Sequence, residues 1–128
     1  MNTSIDFNSI NWITTPGIKH QGEIGTSIWQ TLEFPGVRMR IVEYSRNFID
    51  DHWCEKGHIV YCLEGEFICE IQNEEKQYFS KGMSFIVSDK FRLHRISSEE
   101  GAKLLIIDGD FLSEKARSII SNGAKKLI

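Results

Sequence analysis

DDHWCEKGHIVYCLEGE, residues 50–66, crowds His52, Cys54 and His58 together and then runs into an apolar stretch that reaches Leu63-Glu64-Gly65-Glu66. His52 and Cys54 are two positions apart, so on a strand they share a face. Glu55-Lys56-Gly57 can turn the chain, and His58 then opens the next strand and can swing back toward the first two. HIVYCLEGEFICEIQ is expected to be a hairpin, two strands around a turn at Glu64-Gly65.

The flanking sequence repeats this rhythm. Thr15-Pro16-Gly17 and Phe34-Pro35-Gly36 punctuate the upstream chain, with strand-like composition from Glu23 to Glu33 and alternation from Val37 to Ser45. Downstream, Asn73-Glu74-Glu75-Lys76 is a turn. QYFSKGMSFIVS gives a strand or a pair around Gly82, FRLHRIS a short alternating strand and KLLIID a buried one. Turn signals at this spacing predict an all-β sandwich or barrel. The end changes period: Leu112, Ala116, Ile119 and Ile120 have helical spacing, with Asp110 as N-cap and Gly123 as stop, so a C-terminal helix is expected over about 110–122.

The chain-wide numbers bound the function. A length of 128 residues with 41% hydrophobic content suits one domain. A net charge of −3, from 15 basic against 18 acidic residues, and no dense basic patch predict no affinity for nucleic acid or anionic membrane. No stretch has the order of a signal peptide or the length of an apolar span, so a soluble, cytoplasmic protein is expected. Three cysteines in such a compartment argue against a disulfide framework. Cys62 and Cys69 are expected in the core and His20 in an exposed loop. Arg38 and Arg40 are expected on the wet face of their strand, where an inward orientation would instead suit a carboxylate or phosphate.

His94, on FRLHRIS, is a fourth candidate beside His52, Cys54 and His58. Each alone would pass for an ordinary strand-end or core residue. Three within one short segment before a glycine turn point to a metal or catalytic site. Three imidazoles and a thiol form a borderline-soft set that suits Zn²⁺ and also accepts Fe²⁺, Ni²⁺ or Cu²⁺.

The segment resembles motif 1 of the cupin superfamily, G-x5-H-x-H-x3,4-E-x6-G. His52 matches the first His, Cys54 stands at the second, His58 stands at the Glu and Gly65 is the closing Gly. Gly82 and His94 match the first Gly and the His of motif 2 with one extra residue between them, and Ser88-Asp89-Lys90 replaces its Pro-x-Gly turn. More narrowly, DHWCEKGHI is similar to the signature of small single-domain DHCW-motif cupins. The resemblance covers about residues 22–108. It implies a single cupin domain over 1–128: a double-stranded β-helix, or jelly-roll barrel, of six to eight antiparallel strands with the metal site inside.

Replacing the usual carboxylate with a thiol moves the preferred ion from Fe²⁺ toward Zn²⁺. Asp51 could orient an imidazole ligand. The expected function is that of a metal-binding protein with its His/Cys site inside the barrel, a metalloenzyme acting on a small molecule; the alternative is a non-catalytic small-molecule or metal-binding module whose site is closed or empty. Glu43, Tyr61 and an unligated Cys54 are the candidate general bases. The resemblance also implies a homodimer, with Ile24 to Leu32 as a pairing segment.

Overall fold

The computed structural model describes residues 4–113. Among them are nine strands: β1 (Ile18–Gln21), β2 (Thr26–Phe34), β3 (Val37–Tyr44), β4 (Phe48–Ile49), β5 (His58–Ile71), β6 (Gln77–Ser80), β7 (Ser84–Val87), β8 (His94–Ser98) and β9 (Ala102–Gly109). They form an all-β curled sheet, a half-barrel, in the order β1-β2-β3-β9-β5-β8-β4, with β6 and β7 also paired to β5. Nine strands exceed the six to eight expected, because β1 and the two-residue β4 carry little sequence signal.

The expected hairpin at Glu64-Gly65 is instead one 14-residue strand. A bulge between Cys62 and Glu64 and a positive φ of 78° at Gly65 bend β5 without reversing it. Its first half pairs with β7 and β9, and its second half with β6 and β8. A side chain at position 65 would run into the Gly101 carbonyl oxygen, so the close approach of the strands there needs glycine. Three other expectations hold: the turn at Pro35-Gly36, the turn at Asn73, and the strand pair around Gly82.

The C-terminal helix begins differently from its expectation. Asp110–Leu112 is a single 3₁₀ turn whose N-cap position is Gly109, without a side-chain cap, and the rest of the expected helix lies outside the described residues.

The core is one cluster on the inner face, including Val42, Tyr44, Val60, Cys62, Phe67, Cys69, Ile96, Leu104 and Ile106. Cys62 and Cys69 are buried in it, as expected. Phe67 stacks on Phe79 with ring centroids 4.9 Å apart. The register of β3, β9 and β5 stacks this inner face in rows. Val42 faces Leu104, the neighbour of Cys62; Arg40 faces Ile106, the neighbour of Val60; and Arg38 faces Asp108. Ile59 pairs with Ile107, so His58, one residue earlier, flanks Asp108. The apolar rows thus end in a charged one: Arg38, Asp108, His58.

Candidate metal centre

That charged row borders a cavity of about 210 Å³, which Cys54, His58, His94, Arg38, Arg40, Trp29, Tyr44, Asp50, His52 and Phe85 help to line. Cys54, His58 and His94 each offer a ligand atom, and these atoms lie within 4.8 Å of one another. Cys54 Sγ is 3.5 Å from His58 Nε2.

Three local structures bring the trio together. His58 opens β5 on its inward parity. Cys54 lies outside any strand and is held to His94 by an isolated two-residue bridge. The loop between Cys54 and His58 is clamped from the turn after β7. Gly57 N–H donates to Asp89 Oδ1 at 2.6 Å, Lys90 N–H donates to the Glu55 carbonyl at 2.7 Å, and Lys56 Nζ lies 3.7 Å from Asp89 Oδ2. Ser88-Asp89-Lys90, which departs from the cupin turn, is therefore the clamp on the ligand loop.

The protonation states suit a cation. His94 Nδ1 is 3.1 Å from the Arg92 carbonyl oxygen, an acceptor only, so Nδ1 carries the hydrogen and Nε2 a lone pair. That Nε2 is buried and has no hydrogen-bond partner among the described residues. His58 Nδ1 stands 3.7 Å from Asp108 Oδ1, too far for a hydrogen bond. Burial lowers both imidazoles below their ordinary value, so both are neutral near pH 7. Burial pushes the Cys54 thiol up, so it stays protonated there until a cation displaces the proton. An orphaned ring nitrogen, a second neutral imidazole and a thiol in one small group form a donor set that fits a borderline-soft divalent metal.

Of the four residues expected to ligate, three converge and His52 stands apart. Residues 51–53 form no strand, so His52 does not share a face with Cys54. Its side chain is 71% exposed at the cavity rim, with Nδ1 2.6 Å from Asp51 Oδ1, which is the orienting contact expected of Asp51. Trp53 lies outside the cavity against the Arg95 guanidinium. Glu43 and Tyr61 point away from the cavity, which removes them as bases.

Arg38 and Arg40 correct an expectation. They face inward with Val42 and Tyr44, while Val37, Met39 and Ile41 take the outer face. Apolar residues occupy both parities of β3, so alternation alone did not distinguish the faces. Arg40 is 5% exposed. Arg38 Nε and Arg40 Nη2 donate to the two oxygens of Asp108, at 3.2 and 3.3 Å. Burial alone would raise the Asp108 carboxyl, but its contacts, the Arg40 and Arg38 guanidinium groups among them, outweigh burial and hold it down to about 2. Asp108 escaped the sequence reading although its signal was there: it shares parity with Leu104 and Ile106 at the end of a buried strand. His20 also departs from expectation, since it lies half-buried on β1 and stacks on Trp29 at 4.0 Å.

No family model matches the chain, and no curated protein does. Solved structures do. An RmlC-like cupin from Shewanella frigidimarina is 18% identical, with 85% of this chain and 94% of that one covered and a TM-score of 0.64. The fold is that of the cupins. Ectoine synthase from P. lautus is 15% identical over 84% of this chain and 79% of that one, with a TM-score of 0.65. FeII HppE is 15% identical over 84% of this chain and 63% of that one, with a TM-score of 0.66. At these identities the likeness is one of cupin fold, and one such neighbour carries ferrous iron.

Proposed function

We propose that the chain is a small DHCW-motif cupin, a jelly-roll barrel whose Cys54, His58 and His94 hold a divalent transition metal, Zn²⁺ ahead of Fe²⁺ or Ni²⁺. The observation that carries this is His94 Nε2, a buried lone pair without a hydrogen-bond partner among the described residues, within 4.8 Å of a thiol and a second neutral imidazole. The thiol favours zinc, and the ferrous neighbour keeps iron in contention. Three protein ligands leave a fourth position for water or a small molecule, as in catalytic zinc sites. A metal there would supply Lewis-acid polarisation of a bound oxygen. The chain's own contribution would be a preformed cavity, neutral imidazoles and the Arg38–Asp108–Arg40 group beside them.

A second reading rests on His52, the fourth ligand of the sequence expectation. Asp51 holds its Nδ1, which leaves Nε2 for a metal, and a His52 turned inward would close the site into a non-catalytic binding module. Metal analysis of the purified wild type beside His94→Ala, Cys54→Ser and His52→Ala tests both. Near-stoichiometric metal lost in the first two variants and kept in the third supports the open site. Loss in all three supports the closed one. Wild type that stays metal-free after incubation with Zn²⁺, Fe²⁺ and Ni²⁺ overturns both.

The remaining expectations stand as proposals. A homodimer is supported by an apolar outer row across the sheet, Leu32, Met39, Ile107, Ile59 and Ile86. A cytoplasmic location is supported by the three free thiols. A small-molecule partner is supported by the cavity, and the −3 charge argues against nucleic acid or membrane.

A further inference from the structure

The Arg38–Asp108–Arg40 group has more donors than one carboxylate can absorb. Each guanidinium carries five N–H donors. Asp108 accepts from Arg38 through one oxygen and from Arg40 through the other, and among the described residues no other one hydrogen-bonds the Arg40 head group. Arg40 Nε has no hydrogen-bond partner among the described residues although its side chain is only 6% exposed. A buried, unpaired charged donor is costly, and folds keep such groups where a ligand completes them.

Its position is fixed from both sides. The Arg40 guanidinium lies 4.7 Å from the Trp29 ring centroid, and His20 stacks on Trp29 at 4.0 Å. Trp29 is itself anchored by Nε1–H to Ser27 Oγ at 2.9 Å. Arg40 therefore needs little ordering when it meets a ligand. Asp108 Oδ1 touches both Arg40 and His58, so the free donors and the metal-ligand trio border one cavity through one oxygen atom.

We propose that Arg40, with Arg38 beside it, receives the carboxylate of a small organic acid whose second oxygen function points toward Cys54, His58 and His94. The planar fork of a guanidinium matches a carboxylate edge, which favours this class over a point-charge contact. The cavity of about 210 Å³ is below the roughly 300–1,000 Å³ of drug-sized pockets, so the acid has only a few carbons. Asp50 is the other carboxyl lining the cavity. Its Oδ2 is already engaged by the Ile96 N–H at 2.7 Å. Placement of the second oxygen rests on the metal reading, whereas capture of the carboxylate does not.

The test titrates full-length protein, metal-free and zinc-loaded, by NMR with acetate, glycolate, acetamide, glycolamide and inorganic phosphate. Acetate should bind both forms at least tenfold more tightly than acetamide, and glycolate should gain further only in the zinc form. Intermolecular contacts from the acetate methyl should reach the Trp29 indole, assigned with Trp29→Phe. Arg40→Met should weaken acetate at least tenfold with zinc content unchanged, and Arg40→Lys should weaken it less. If Arg40→Met does not fold, the wild-type contact to Trp29 decides. Equal binding of acetate and acetamide, or a contact away from Trp29, would overturn the proposal. Phosphate outcompeting glycolate would overturn the carboxylate class. Acetate at Trp29 in a protein that takes up no metal would sink the metal reading and leave the carboxylate site standing.

Discussion

Cys54 and His94 exchange both backbone hydrogen bonds of a single antiparallel bridge, Cys54 N–H to the His94 carbonyl at 2.7 Å and His94 N–H to the Cys54 carbonyl at 3.0 Å. They lie forty positions apart in the chain, and all of the central strand β5 runs between them. The bridge sets one backbone beside the other where the two ligand atoms must meet, so their distance does not depend on flexible side chains alone.

Proton release should accompany metal binding. The Cys54 thiol is raised by burial and is protonated at pH 7, while His58 and His94 are lowered and already neutral. Zinc uptake should therefore liberate about one proton, and affinity should climb about tenfold per pH unit through neutrality. Calorimetry in buffers of different ionisation enthalpy measures this. Cys54→Ser should bind more weakly and release no proton.

Thiol reactivity should divide the cysteines. Cys62 and Cys69 are buried in the core, and burial lifts the Cys69 thiol to about 12. A thiol-specific chromogenic reagent should modify Cys54 alone in the folded protein, slowly. Prior loading with zinc should protect it. Three equally reactive thiols would contradict the burial, and an unprotected Cys54 would contradict its role as ligand.

Acid should weaken the charged row. Asp108 is held down to about 2, below the ordinary 3.8, so its contribution is present above the ordinary value and is lost as the pH falls toward 2. The shift corresponds to roughly 2 kcal/mol. Denaturant unfolding of wild type and Asp108→Asn between pH 6 and pH 2 checks it. The variant should be less stable at pH 6, since two guanidinium groups lose their counter-charge, and should lack the part of the acid decline that belongs to Asp108.

Gly65→Ala should be costly for a surface-exposed glycine. The positive φ alone costs about 1–2 kcal/mol in a residue with a Cβ, and the collision with the Gly101 carbonyl adds to it. Urea unfolding should show a loss of about 2 kcal/mol or more. Gly82→Ala is the control, since its φ is also positive but nothing crowds its Cβ.

The all-β class and most strand positions were legible because turn residues and period-two alternation are local signals. β3 matched its expected extent to within one residue, yet its facing differs from the expected one, because Val37, Met39 and Ile41 compete with Val42 and Tyr44 for the core. Only the register that sets Arg38 opposite Asp108 decides between them, and that pairing joins positions seventy residues apart. The bend at Gly65 was read as a reversal because glycine marks both. The grouping of Cys54, His58 and His94 was visible as residue chemistry, whereas the separate, exposed position of His52 depends on residues 51–53 leaving the strand conformation.

The continuity of β5 also bears on how the chain reaches this fold. Because β5 supplies a partner to β6, β7, β8 and β9, neither half of the half-barrel can be finished before it is in place. Its neighbour β9 arrives late in the chain and must also close on β3, more than fifty residues earlier. Such distant closures make for slow assembly. Once formed, the shared strand should make the two halves unravel together, and amide protons along β5 should exchange only when the whole domain opens.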